Sequence, residues 1–81
     1  MERFFVQSLA DQIQYVYNRG TFVMGIRYYG YKVNLYLLGQ DYVEVFYHHK
    51  RDCIERITLL DTRHSRMKFY MDQIKLPVVN R

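Results

Sequence analysis

Eighty-one residues, 49% hydrophobic and 25% charged, are enough for one hydrophobic core, too few for two, and too apolar for a disordered chain. The single cysteine, Cys53, cannot close an internal disulfide, so a reducing, cytoplasmic setting is expected and a disulfide scaffold is excluded. The formal charge of +4 sits beyond residue 49: residues 1–49 carry four basic and four acidic side chains, residues 50–81 eight and four.

From Glu2 to Arg19 the apolar residues Phe5, Val6, Leu9, Ile13, Val16 and Tyr17 recur at three- and four-residue steps, the signature of one amphipathic helix. Its wet side holds Gln7, Asp11, Gln14 and Asn18, and Gly20 stops it in the left-handed conformation that glycine tolerates. The start turns polar too early for a signal-peptide core and no run reaches membrane-spanning length, so no membrane association is expected.

After Gly20 the period changes to two. Stretches rich in tyrosine, valine and leucine run to Leu60, broken at Tyr29-Gly30, Gly39-Gln40-Asp41 and His49-Lys50-Arg51-Asp52, which predicts four strands in an antiparallel meander. A two-residue Tyr29-Gly30 loop pairs Tyr28 with Tyr31, Ile26 with Val33, Met24 with Leu35 and Phe22 with Leu37, but puts Tyr29 in a conformation that tyrosine disfavours. For the second hairpin, a two-residue loop would set Leu35 against Glu44. A three-residue loop instead sets Leu37 against Val43, Leu35 against Val45 and Val33 against Tyr47, keeping one face apolar. The fourth strand, Cys53 to Leu60, alternates poorly; pairing Val43 with Ile57 would bring Glu44 beside Arg56.

Asp61 or Thr62 can cap a last helix with Met67, Tyr70, Met71 and Ile74 on its apolar stripe, and Pro77 ends it. The expected architecture is a single α+β domain over residues 1–76 with a tail at 77–81. It is a two-layer α-β-β-β-β-α arrangement with both terminal helices on one face of the sheet.

On those registers the opposite face is open and displays Arg27, Lys32, Tyr36, Phe46 and His48, with Lys50 and Arg51 in the loop beyond. Like charges side by side destabilise a sheet mildly, and aromatics among cations suit an anionic partner that stacks and carries phosphate. A half-wet sheet face can have the same composition for no reason beyond solvation. These seven residues are the expected partner surface of a small non-enzymatic interaction domain. Protein contacts or self-association come first, since the nine tyrosines also suit an interface, and single-stranded nucleic acid is the alternative.

No cofactor or metal is expected. His48 and His49 are adjacent on a strand and point to opposite faces, Cys53 has no oxyanion partner, and Gly20, Gly25, Gly30 and Gly39 do not gather into a phosphate loop. Arg63, His64, Arg66 and Lys68 form a second basic cluster, read as a solvated helix face.

Overall fold

The computed structural model describes residues 2–61, 63 and 67–73. Its elements are α1 (Glu2–Phe5), α2 (Leu9–Arg19), β1 (Thr21–Tyr28), β2 (Tyr31–Leu38), β3 (Asp41–His48), β4 (Cys53–Leu59) and α3 (Met67–Gln73). The strands form one antiparallel sheet in the order β1-β2-β3-β4. No helix among the described residues is long and apolar enough to cross a membrane. The helical end of Ile74, Pro77 and the expected tail lie outside the described residues.

The N-terminal segment is two helices, not one. Ser8 leaves the helical conformation and its Oγ accepts from the Asp11 N–H at 3.1 Å, an N-cap that restarts the helix at Leu9. The buried Gln12 amide donates back to the carbonyls of Gln7 (3.1 Å) and Phe5 (3.4 Å), pinning the corner between α1 and α2. Phe4 therefore enters the core, whereas Phe5, Val6 and Tyr17 remain exposed. Gly20 is extended rather than left-handed; glycine suits it because a Cβ there would lie 2.7 Å from the Val16 carbonyl.

The first hairpin has the expected pairing of Tyr28, Ile26 and Met24. A bulge at Val23 then shifts Phe22 opposite Tyr36 instead of Leu37. The second hairpin overturns the three-residue loop: Gly39-Gln40 alone makes the turn, with Gly39 at φ 66°, the geometry of a tight hairpin turn that places glycine first. Leu35 consequently faces Glu44, Val33 faces Phe46 and Tyr36 faces Val43. In β4 the pairs are Val45 with Ile57 and Phe46 with Arg56, and a second bulge next to Glu55 brings Ile54 opposite Tyr47.

That one-residue change in loop length turns β3 over relative to β2, and the two-layer arrangement fails with it. Val43 and Val45 point to the face covered by α1 and α2, where they pack with Phe4, Val16, Leu38 and Ile57. Phe46 points to the opposite face with Ile26, Val33, Leu35 and Tyr70 of α3. The helices thus lie against opposite faces of the sheet, and β3 is buried on both sides. Val43, Glu44 and Phe46 are all 0% exposed.

Glu44 is the polar residue in that dry strand. Its carboxylate accepts a 2.8 Å hydrogen bond from the Tyr70 hydroxyl, so the charge that argued against the two-residue loop anchors α3 on the sheet. A buried carboxylate is tolerable only with such partners.

Candidate functional site

Exposed cations gather at one end of the sheet, where two of its turns meet. The β1–β2 turn (Tyr29, Gly30) and the β3–β4 turn (His49 to Asp52) lie side by side, tied by the His49 N–H to the Gly30 carbonyl at 3.3 Å. Arg27 and Lys32 pair directly behind the first turn, Lys32 pairs with Tyr47, and both cations are exposed. Neither β1 nor β2 contains an acidic residue, so the positive field of that pair is not cancelled within its own hairpin.

Of the seven residues expected at the partner surface, five meet at this end: Arg27, Lys32, His48, Lys50 and Arg51. Strand alternation nevertheless divides them. Arg27 and Lys32 lie on the α2 side, whereas His48 lies on the α3 side next to Tyr31, ring centroids 5.1 Å apart. Phe46 leaves the set, because it is core. Its ring is capped by the Arg56 guanidinium 4.2 Å from the centroid. Tyr36 also leaves: it is half-buried beside α2, in ring contact with Tyr17 (5.7 Å) and Phe22 (5.6 Å), and burial, with the Tyr17 hydroxyl beside it, raises its phenol pKa above the ordinary value.

The β3–β4 turn is braced from within. The Arg51 N–H donates to His48 Nδ1 at 3.1 Å and the Asp52 N–H to the His48 carbonyl at 2.8 Å. The Arg51 guanidinium meets Glu55 at 2.9 Å, and the Tyr31 hydroxyl donates to the same carboxylate at 2.8 Å. Arg51 is thus partly neutralised, while Lys50 is exposed beside it.

This bridge makes a pH prediction. The Tyr31 hydrogen bond, with the charges of His48, Arg51 and Arg56, holds the Glu55 carboxyl below its ordinary value against an opposing desolvation effect. The hydrogen bond to Glu55 chiefly, aided by desolvation, raises the Tyr31 phenol, and the two arginines oppose it. A depressed carboxyl stabilises the fold above its unfolded pKa, an advantage lost as pH falls through the folded one; a raised phenol stabilises below its unfolded pKa and loses that as pH rises through the folded one. Glu55→Gln should therefore be less stable than the parent at neutral pH and converge with it in acid. The parent should lose stability in alkali, above the ordinary tyrosine value of about 10. Urea unfolding as a function of pH checks both limbs, and parallel curves for the two proteins would contradict the assignment.

Tyr29 was not among the expected residues. It is 82% exposed, sits at the tip of the sheet at φ 47°, and touches Tyr28 edge-on at 4.7 Å. Four described residues have positive φ: Gly30, Gly39, Asp52 and Tyr29. Glycine and aspartate accept that conformation readily; tyrosine does not. The signal was present in the sequence as a tyrosine where an Asn-Gly turn would be ordinary.

Among the described residues no three His, Cys, Asp or Glu side chains converge as a metal site. No protein-family model matches the chain, and no curated protein and no solved structure matches it either.

Proposed function

We propose that this chain is a non-enzymatic binding domain whose turn end holds single-stranded nucleic acid. The observation that carries the reading is Tyr29, an exposed ring on a strained backbone in the turn that joins the strands bearing Arg27 and Lys32, with Lys50 on the adjoining turn. Strain held at an exposed turn position, offset in the fold by an edge-on ring contact with Tyr28, favours a role in contact. A base stacks on such a ring, and neighbouring cations neutralise the phosphates on either side. On the α2 side Tyr47 pairs with Lys32, and its ring lies 5.8 Å from that of His49. Self-association through an open sheet face is disfavoured, because helices occupy both faces and Phe46 is buried. A cytoplasmic setting fits the exposed, free Cys53.

The test is fluorescence anisotropy of a labelled single-stranded oligonucleotide across a salt series. Affinity should fall steeply with salt, and Arg27→Gln and Lys32→Gln should each flatten the logarithmic slope by about 0.7, the value for one single-strand phosphate contact. Absence of binding at low salt would remove the proposal. A concentration-dependent mass in light scattering, suppressed by Tyr29→Ala, would instead transfer the surface to a protein partner.

A further inference from the structure

At the far end of the molecule from Tyr29, the corner between α1 and α2 and the Gly39 turn enclose a cleft of about 470 Å³. Small-molecule sites typically measure about 300–1,000 Å³, with an apolar lining and a few convergent polar groups. Here Phe4 and Leu38, both buried, form the floor, and the Tyr15 ring forms a wall. Arg3 and Arg19 supply two guanidinium groups, with the Arg19 group 5.7 Å from the centre of the Tyr15 ring.

Among the described residues no carboxylate lines the cleft and neither arginine makes an ion pair. Two guanidinium groups facing one cavity without a counter-charge repel each other, and an anion relieves that repulsion while accepting their paired N–H donors. The corner is held in place without a ligand, because the buried Gln12 amide ties it to α2. Gly39 lines the rim and leaves it open, since a Cβ there would meet nothing within 4 Å.

We propose that this cleft binds a small organic anion, a phosphate monoester or a carboxylate carried on a flat apolar body. The arginines take the charged head, and Phe4, Tyr15 and Leu38 take the body. The proposal is independent of the turn end, with which it shares no residue.

The test is a two-dimensional amide NMR titration of the full chain with adenosine monophosphate, benzoate and inorganic phosphate. Saturable shifts at Gln7, Tyr15, Arg19 and Gly39 are expected for adenosine monophosphate or benzoate, and the tighter of the two identifies the head group. Arg3→Gln and Arg19→Gln should each weaken binding by about tenfold or more, as expected for loss of a charge-assisted hydrogen bond. Both positions are exposed, and circular dichroism confirms that the variants fold. Three results would overturn the proposal: no saturation by any probe, undiminished shifts in the double variant, or shifts centred on Tyr29 and Lys32. Inorganic phosphate binding as tightly as adenosine monophosphate would overturn the assignment of an apolar body.

Discussion

Phe46→Ala is expected to lower the unfolding free energy by about 3–5 kcal/mol, the range for truncating a fully buried aromatic side chain. Phe46 is 0% exposed and central to the α3-side core, between Val33 on β2 and Arg56 on β4. Truncation removes its packing and also the ring beneath the Arg56 guanidinium. For 81 residues, a typical stability of about 0.05–0.15 kcal/mol per residue amounts to about 4–12 kcal/mol, so the variant should be close to unfolding at ambient temperature. Urea denaturation followed by circular dichroism measures the effect. A loss below about 1 kcal/mol, the scale of a surface change, would contradict the burial and return Phe46 to the exterior.

Tyr29→Asn should move two measurements in opposite directions. A left-handed conformation costs an ordinary L-residue roughly 1–2 kcal/mol, and asparagine recovers part of it. The hairpin should therefore gain about 0.5–1 kcal/mol, visible as a higher melting temperature. Loss of a stacking ring should at the same time weaken oligonucleotide binding by about 1–3 kcal/mol, roughly 5- to 150-fold. A variant that melts higher and binds as before would strip Tyr29 of its role. One that melts lower would show that the edge-on contact with Tyr28 outweighs the backbone strain.

Much of the fold was legible because alternation, turn residues and helical spacing report directly on backbone geometry. The four strands, the Tyr29-Gly30 turn and the core placement of Ile26, Val33 and Tyr70 follow from those patterns. What alternation cannot report is the phase of a strand buried on both faces. From Val43 to Phe46 every side chain is dry, so β3 has no wet face to betray its orientation. Glu44 was the misleading residue, since a carboxylate ordinarily marks the solvent side and its partner Tyr70 is 26 positions away.

The same phase error explains the candidate surface. From Met24 to Tyr28 the expected grouping of β1 with β2 holds, whereas the bulge moves Phe22 to the other face and β3 contributes the wrong set, so Arg27 and Lys32 stay together and Phe46 is lost. Lys50 and Arg51 were placed correctly at the turn end, because turn residues stay at the end of a hairpin whichever way its strand faces. The break between α1 and α2 was present as Ser8 followed three residues later by Asp11, a cap pattern masked by the continuing apolar series of Phe5, Val6 and Leu9.

The inserted residues in β1 and β4 have a further consequence, because these two strands are the outer margins of the sheet. A bulge bends and twists its strand, so a neighbouring molecule that tried to extend either margin would meet an edge that disfavours continuous pairing. Both borders of this tyrosine-rich sheet thus carry a feature that discourages growth into a continuous ribbon.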